Sequence, residues 1–417
     1  MSDTESQPRR SSRFRLLLIG VTVAGLLGFT LFPKIAFGLG ISDYGRWFLD
    51  SYAILASNDA IAAGLDPYHA NPLDDLHRPH SYSHWWFLLG KMGLTRADNF
   101  VFGGLCVLAC LVVAFAGLRP RTMREVAWYA TLMLCPPFLM AVNRANNDLV
   151  VFAVLGCGAL ALSRPTVGRW LTVLMAVAMA TGLKFYPAVA AAGLLLVRPI
   201  KRFWLGLFVA GLGLLLISVN IWSDFGRAVI PVPSGVYSFG APLLLNDLGW
   251  TGRSAQIGTA ALLLVLGAIF QRRGLTVGLT ENDSPIADRL RFIWAGVLLL
   301  VCFTVGISYA YRWIFVIWCA PWLWTVMTSE ISSPARRRGA FLASALLLFG
   351  VWSDGLFCIV VNLFFIPVAQ SVIDHWQLAW RMWTQPLVWL LMAMLTGWLL
   401  DAGLATLDAL RTQPERK

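Results

Sequence analysis

Long apolar runs dominate the chain, and short connections rich in arginine and lysine separate many of them. An α-helix needs about 20 mostly apolar residues to cross the hydrocarbon core of a bilayer. The runs therefore predict an all-α polytopic membrane protein with about twelve transmembrane helices, in which residues 1–417 form a single integral domain. The predicted spans are 16–37, 99–118, 126–142, 148–163, 170–184, 187–197, 203–222, 255–270, 292–308, 312–328, 340–366 and 386–405.

The distribution of basic residues predicts the orientation of these spans. Basic clusters such as 9–15, 119–124, 198–202 and 411–417 alternate with poorly basic connections. Arginine and lysine are enriched in cytoplasmic loops. Both termini are therefore predicted to lie in the cytoplasm, and the protein is predicted to reside in the cytoplasmic (inner) membrane.

Residues 170–197 allow two interpretations. A single helix would place the basic residues 198–202 outside, whereas two short helices that meet at the sequence KFYP keep them inside. Pro187 favours two helices, because proline disfavours the helical conformation at the preceding residue, Tyr186. Neither half is long enough to span a bilayer comfortably, so the sequence leaves both interpretations open.

Polar features collect on the side predicted to be extracytoplasmic. This side holds two long loops, 38–98 (the first long loop) and 223–254 (the second long loop). It also holds short turns at 143–147 and 309–311 and a segment near 367–385. All five histidines lie there. Any chemistry is therefore expected to face away from the cytoplasm.

Composition excludes several classes of protein. The chain is 58% hydrophobic and only 13% charged, which is far more apolar than a soluble domain. Its net charge of +11 does not indicate nucleic-acid binding, because the basic residues form no continuous stripe. The seven cysteines and the histidines show no metal-ligand spacing. The sequence thus predicts no nucleic-acid partner, no metal and no other cofactor.

The first long loop mixes aspartates with aromatic residues. Residues 44–63 suit an amphipathic helix at the membrane interface. Asp43 precedes this segment and Asp66 ends it, positions that also suit a helix N-cap and a turn. Residues 69–86 then gather histidine, aspartate, tyrosine and tryptophan. Tryptophans here also suit an aromatic belt at the headgroups, but the polar and aromatic mixture predicts a sugar-binding pocket.

Isolated cations stand at three predicted outer helix ends. They are Arg144 in NRANND, Lys184 in TGLKFYP and Arg312 in SYAYRW. A cation at bilayer depth costs about 3 kcal/mol on insertion scales, so each one either snorkels to the interface or holds an anion. Together with Arg227 and Arg253 of the second long loop, they predict a cationic pocket complementary to phosphate.

The order of these motifs resembles glycosyltransferase family 87, in the GT-C superfamily of membrane transferases that use polyprenyl-phosphate sugars. The resemblance covers most of the chain up to about residue 325. Its motifs are SDYGRW, the amphipathic segment, AAGLDPYH, SYSHWW, NRANNDLVVF, GLKFYP and SYAYRWIF. The chain departs from the family where SHWW replaces a segment that commonly contains proline, and where NRANND replaces a Gly-Asn or Gly-Gln-Asn sequence. These departures leave acceptor recognition open.

The resemblance implies a GT-C-like bundle that catalyses an inverting transfer on the extracytoplasmic side. The donor would be a polyprenyl-phosphate hexose, mannose by analogy, and the acceptor an envelope lipid or glycan. Asp43 matches the family's first-loop aspartate and is the expected base, with Asp50 as the alternative. One carboxylate suffices on the acceptor side. On the donor side, a polyprenyl phosphate is a stable leaving group that needs no strong general acid, only cations around the phosphate.

The remaining candidate residues hold the donor phosphate or contact the sugar and acceptor. Lys184 and Arg312 are assigned to the phosphate by motif, and Arg144 by its position. Asn147 and Asp148 also suit ordinary helix caps. The sugar and acceptor candidates are Asp66, Tyr68, His80, Tyr82, His84, Asn146, Asn147, Asp148, Tyr309 and Tyr311.

Other functions predict different patterns. A transporter or flippase of polyprenyl-linked glycans would carry charged residues in mid-span and broken helices in matching halves. A non-catalytic envelope scaffold would need neither Asp43 nor a cationic pocket. A transferase similar to the O-antigen ligases usually carries its large outer loop late in the chain, whereas here the large loop comes early.

Overall fold

The computed structural model describes residues 7–41, 46–162, 166–197, 200–229, 232–233, 235–282, 284–364 and 370–412, and most of these are helical. The α-helices are α1 Gln7–Leu31, α2 Pro33–Gly38, α3 Leu49–Ala62, α4 Leu88–Lys91, α5 Asn99–Gly117, α6 Met123–Met133, α7 Pro136–Arg144, α8 Asp148–Ala161, α9 Val167–Leu183, α10 Ile200–Arg227, α11 Pro242–Asp247, α12 Gly252–Arg272, α13 Ile286–Val305, α14 Ala320–Thr328, α15 Pro334–Phe364 and α16 Gln370–Thr412. Short 3-10 helices cover His84–Phe87, Arg96–Asp98, Tyr186–Leu196 and Ala310–Trp318, and the strands are β1 Ser238–Phe239 and β2 Ser308–Tyr309.

Six helices of the described residues are long and apolar enough to cross a membrane. They are Ser12–Leu31, Arg96–Gly117, Arg202–Arg227, Gly252–Arg272, Pro334–Asn362 and Val372–Thr412. A seventh span results if α6 and α7, which bend by 53° at their junction, count as one. The all-α membrane character predicted from the apolar runs is therefore confirmed, whereas the number of twelve spans stays a prediction.

Prolines decide where several predicted spans break. The first predicted span ends early, because Pro33 starts a new helix, α2, at a position where proline is well tolerated. Residues 170–197 form two helical segments, α9 and the 3-10 helix Tyr186–Leu196. In contrast, α16 runs through Pro386 and includes residues 370–385, which the sequence analysis assigned to an outer connection.

The chain divides into two compact units. The first comprises Met1–Ser42, Phe115–Leu139 and Pro233–Lys417. Within it, α16 packs against α12, α13 and α15, and β1 pairs with β2 in antiparallel register. Its core is strongly aromatic: the rings of Phe292, Trp322 and Trp398 lie within 4.4 to 5.4 Å of one another, measured between centroids.

The second unit comprises Asp43–Ala114 and Met140–Val232. Here α9 packs against both α8 and α10, and α3 contacts α4 and the 3-10 helices of the first long loop. This unit contains the NRANND turn, Lys184 and most of the first long loop. It therefore holds most of the candidate site residues.

Helix α3 is buried within the second unit, although its composition suited a helix at the membrane interface. Its polar side chains find internal partners, as buried polar groups must. The Ser51 hydroxyl donates to Asn99 Oδ1 at 2.6 Å, and Asn58 Oδ1 accepts from the backbone N–H of Gly90 at 2.8 Å. The N-cap position of this helix is Phe48, at a φ of 64°. Asp43, which the sequence also allowed as an N-cap, lies outside the described residues.

Candidate functional site

Asp50 is the centre of a buried ion network, the aspartate network, formed by Asp50, Asp74, Arg78, Arg144 and Asn146. Its Oδ1 accepts hydrogen bonds from Arg144 Nη2 at 2.8 Å and Arg78 Nη1 at 3.0 Å. Its Oδ2 accepts from Arg144 Nε at 3.0 Å and Asn146 Nδ2 at 2.6 Å. The side chains of Asp50 and Arg144 are only 7% and 14% exposed. Arg144 thus holds Asp50 through two parallel hydrogen bonds, the strongest geometry for such a pair.

The aspartate network keeps Asp50 ionised. Burial opposes ionisation, but the positive charges of Arg144 and Arg78 and the hydrogen bonds from Arg144 and Asn146 hold the pKa of Asp50 well below its usual range. A carboxylate with four hydrogen bonds and a low pKa accepts a further proton poorly. These contacts therefore favour a positioning role for Asp50 over the alternative role of base.

Arg78 and Asp74 extend this network along the first long loop. Arg78 Nε donates to Asp74 Oδ2 and Arg78 Nη2 to Asp74 Oδ1, each at 2.9 Å. Arg78 Nη2 also donates to the carbonyl of Leu49 at 2.8 Å. The sequence analysis assigned no role to either residue. The available signal was the spacing of four residues between a carboxylate and a cation in DDLHR, which gives no direct sign of a contact with α3.

Lys184 lies in a second buried cluster, the lysine cluster, formed by Asn147, Asp148, Lys184 and Tyr186. Lys184 Nζ donates to Asn147 Oδ1 and to Asp148 Oδ1, both at 2.6 Å. The Tyr186 hydroxyl also donates to Asp148 Oδ1, at 2.7 Å. The side chain of Lys184 is 8% exposed, and that of Asp148 is fully buried. A cation in such surroundings is held in one position by its neighbours.

The turn between α7 and α8 joins the two clusters. Asn146 donates to Asp50, and Asn147 accepts from Lys184. Asn147 occupies the N-cap position of α8, as the sequence allowed, but its side chain makes no capping hydrogen bond. Ala145 has a φ of 42°, in the left-handed region that residues with a side chain rarely adopt. The backbone therefore bends sharply at Ala145, and the side-chain amides of the next two residues contact different charged groups, Asp50 and Lys184.

The segment 82–86 packs along the ends of α9 and α10. Trp86 Nε1 donates to the carbonyl of Leu183 at 2.9 Å, and Trp85 Nε1 donates to Asn220 Oδ1 at 2.7 Å. The Ser83 hydroxyl donates to the carbonyl of Gly182. The ring of Tyr82 lies 5.4 Å from Lys184 Nζ. The two tryptophans thus fix this segment beside Lys184, a role beyond that of an aromatic belt.

His84 forms an ion-pair geometry with Asp224, near the end of α10. Its Nδ1 lies 2.6 Å from Asp224 Oδ2, and its backbone N–H donates to the same oxygen at 3.0 Å. The His84 side chain is 42% exposed, whereas that of Asp224 is 4% exposed. Because Asp224 Oδ2 already accepts the backbone N–H, the hydrogen of the ring contact is assigned to Nδ1. The sequence analysis named His84 but not Asp224.

Tyr68 and His80 are buried in an aromatic cluster. The Tyr68 hydroxyl donates to the carbonyl of Tyr82 at 3.0 Å, and His80 Nε2 lies 3.2 Å from the carbonyl of Ser83. The ring of His80 lies 4.7 Å from that of Phe87. Burial lowers the pKa of His80 to about 4, and the Ser83 carbonyl and the charge of Asp224 offset only part of this effect. His80 is therefore neutral, and its contacts are to protein groups.

The buried His80 predicts a loss of stability in acid. Its pKa is depressed in the folded state, from 6.5 to about 4, so the unfolded chain binds a proton first as the pH falls. The contribution of neutral His80 to the free energy of unfolding is fully present above pH 6.5. It falls by about 3 kcal/mol between pH 6.5 and pH 4. In His80→Gln, unfolding measured between pH 7 and pH 4 should show a weaker pH dependence than in the wild type. Equal pH dependence in both proteins would contradict a buried neutral His80.

The first unit contains the remaining candidates. The rings of Tyr309 and Tyr311 stack with their centroids 5.3 Å apart, and the guanidinium of Arg312 lies 5.5 Å from the Tyr311 ring. Tyr309 belongs to β2, and the backbone N–H of Ala310 donates to the carbonyl of Tyr237 at 2.7 Å. These contacts fix the three side chains on a short paired strand and the 3-10 helix that follows it.

Three further predictions have different outcomes. Asp43 lies outside the described residues. Asp66 pairs with Arg227 at 2.6 Å, and both side chains are about half exposed. Arg253, at the start of α12, is exposed in the first unit. Whether Arg227 and Arg253 join Arg144, Lys184 and Arg312 around a single phosphate stays a prediction.

Within the described part of the chain, no group of three or more histidine, cysteine, aspartate or glutamate residues could hold a metal ion. The prediction that the reaction needs no metal or other cofactor remains a prediction. Comparisons of the chain with protein-family models, with curated proteins and with solved structures find no match.

Proposed function

We propose that the protein is an inverting glycosyltransferase of the cytoplasmic membrane. It would move a hexose, mannose by analogy with glycosyltransferase family 87, from a polyprenyl-phosphate donor to an envelope lipid or glycan. In this proposal about twelve spans place both termini in the cytoplasm and the reaction on the outer side. The reaction uses no metal or other cofactor.

The observation that carries the proposal is the contact between motifs that lie far apart in the sequence. Asp50 of the amphipathic helix binds Arg144 and Asn146 of NRANND, and the next residues of that turn bind Lys184 of GLKFYP. Tyr82 of SYSHWW faces Lys184, and Tyr68 of AAGLDPYH binds Tyr82. Five of the motifs behind the resemblance thus form one continuous set of contacts in the second unit.

The chemistry of these contacts suits a lipid phosphate donor. When the bond between the sugar and the phosphate breaks, negative charge grows on the phosphate oxygens, and fixed cations stabilise it best. Lys184 and Arg144 are each held by a buried carboxylate, Asp148 and Asp50. Their positions are therefore set before the donor binds, which avoids the cost of ordering long side chains.

The roles of the individual residues are carried over from the resemblance and, for Arg144, from its position. Asp43 is the base that takes the proton of the acceptor hydroxyl. Lys184, Arg144 and Arg312 surround the donor phosphate. Sugar and acceptor contacts are assigned to polar groups around them: Asp66, Tyr68, His80, Tyr82, His84, Asn146, Asn147, Asp148, Tyr309 and Tyr311.

Purified protein should convert a polyprenyl-phosphate mannose and an extract of envelope lipids into a new glycolipid. The experiment uses detergent micelles, in which there are no two sides, and the product's anomeric configuration is read by nuclear magnetic resonance. Inversion at the anomeric carbon is expected. The flippase alternative predicts no product in micelles but movement of the intact donor across liposomes, and that pair of results would overturn the proposal.

Lys184→Gln should slow transfer roughly 10²-fold, because it removes one fixed donor of positive charge from the phosphate. The matched control is Lys91→Gln, which replaces an exposed lysine of α4 in the same unit. Rates are compared per folded protein, because Lys184 also neutralises the buried Asp148. Equal transfer by the two variants would remove Lys184 from the phosphate site.

A further inference from the structure

His84 stands out in the second unit as an accessible imidazole with a buried carboxylate behind it. The buried Asp224 accepts both the ring Nδ1–H and the backbone N–H of His84, so the ring is fixed at two points. Within the part of the chain that the structure describes, the ring makes no other hydrogen bond, so Nε2 is left for a substrate. A histidine oriented through Nδ1 by a carboxylate is the arrangement that enzymes use for proton transfer at Nε2.

The position of His84 relates it to the expected phosphate. The segment 82–86 lies along the C-terminal end of α9, through the contacts of Ser83 with Gly182 and of Trp86 with Leu183. Lys184 follows immediately, and its Nζ faces the ring of Tyr82, two residues before His84. A side chain on the Gly182 backbone would collide with the ring of Trp85. Close packing therefore holds this segment against the end of α9, with His84 two residues along the chain from Tyr82, whose ring faces Lys184.

The charges around the expected phosphate leave one negative charge of the leaving group without a cation to offset it, and a proton from His84 would offset that charge. Lys184 and Arg144 are each neutralised by a carboxylate of the protein. A polyprenyl-phosphate sugar carries one negative charge, and the released phosphate monoester would carry two. The second ionisation of a phosphate monoester has a pKa of about 6, close to that of an ordinary imidazole. An imidazole is therefore a proton donor whose ordinary pKa is close to that of the phosphate that leaves.

We propose that His84 is a further catalytic residue, which donates its Nε2 proton to the departing phosphate, and that Asp224 is the residue that positions it. The proposal rests on the proposed glycosyl transfer. The acceptor oxygen forms a bond to the anomeric carbon and gives its proton to Asp43. The bond from that carbon to the phosphate oxygen breaks, and its electron pair stays on the phosphate. His84, as an imidazolium with a hydrogen on each ring nitrogen, gives its Nε2 proton to the phosphate and keeps the Nδ1 hydrogen that binds Asp224. Asp43 then loses its proton to water, and His84 regains one from water.

The test compares three substitutions of His84 with a control in the transfer assay. His84→Ala and His84→Gln remove the ring, whereas His84→Asn keeps an amide N–H in the place of Nδ1 and lacks Nε2. Each should lower kcat roughly 10²-fold with little change in KM for the donor. His69→Gln, at an exposed histidine of the same loop, should keep wild-type kcat.

Rescue separates proton donation from a structural role. Added imidazole should restore part of kcat in His84→Ala but not in Asp43→Asn. Asp224→Asn should lower kcat, and imidazole should not rescue it, because the tethered ring is still present. If His84→Asn is folded and keeps wild-type kcat, or if imidazole fails to rescue a folded His84→Ala, the proposal for His84 is overturned. If the wild-type protein makes no product with any polyprenyl-phosphate sugar, the proposed transfer itself fails.

Discussion

Replacing Arg144 with leucine should destabilise the protein by about 3 kcal/mol, because it leaves an ionised carboxylate buried without the arginine that binds both of its oxygens. Asp50 is almost inaccessible to solvent, and Arg144 supplies two of the four hydrogen bonds to its carboxylate. Arg78 and Asn146 supply the others and compensate only in part. The loss is measured as a fall in the midpoint of thermal unfolding in detergent, followed by tryptophan fluorescence.

A matched ion pair on the surface of the same unit provides the control. Arg227 binds Asp66 at 2.6 Å, the same kind of contact, but both side chains are about half exposed. Exposed pairs contribute little to stability, so Arg227→Leu should change the midpoint far less than Arg144→Leu. The double variant Asp50→Leu and Arg144→Leu should recover part of the loss, because no unpaired charge then remains. Equal losses in Arg144→Leu and Arg227→Leu would contradict the buried network.

Long apolar runs predicted most of the helices. Each predicted span overlaps a helical segment of the structure, from α1 at Gln7–Leu31 to α16 at Gln370–Thr412. An apolar run indicates a segment that is buried in protein or lipid, and its position can therefore be identified from a single sequence. Such a run does not distinguish a spanning helix from a short buried one, such as α8 at Asp148–Ala161. Among the described residues, length and hydropathy alone support six spans, or seven if α6 and α7 count as one, and the number of twelve stays a prediction.

Helix α3 shows why composition misjudged the environment of the first long loop. Its aspartate and asparagine residues suited an amphipathic helix with one face exposed to solvent. In the structure, Asp50 and Asn58 are buried, because an arginine and backbone groups from other parts of the unit satisfy them. Such partners depend on tertiary packing, and the local pattern of polar and apolar residues contains no information about that packing.

The charged partners of the candidate site were likewise beyond the sequence. Isolation within apolar surroundings was enough to single out Arg144 and Lys184. Their carboxylates were not recognised as partners, since Arg144 pairs with Asp50 across 94 residues and Lys184 pairs with Asp148 across 36. Lone cations of a membrane chain are costly, so each implies a partner, but only the packing of α3, α7 and α8 shows which one it is.

Asp43→Asn should lower kcat for glycosyl transfer by about 10² to 10⁴, the usual contribution of a general base. Asparagine has nearly the same shape as aspartate but does not accept the acceptor's proton. The assay measures initial rates with saturating donor and acceptor, per folded protein. Donor affinity should change little, because the phosphate is assigned to Lys184, Arg144 and Arg312.

Asp50→Asn distinguishes the two aspartates that the sequence left as candidates. Asp50 accepts four hydrogen bonds, and its arginine neighbours hold its pKa well below the usual range. Its substitution should therefore lower the unfolding midpoint, as two guanidinium groups lose a shared counter-charge, while the folded fraction retains much of its kcat. Asp43→Asn should instead lower kcat strongly and change the unfolding midpoint little. If folded Asp50→Asn loses transfer and Asp43→Asn keeps it, the base is Asp50, and the buried carboxylate must exchange Arg144 for the acceptor hydroxyl during the reaction.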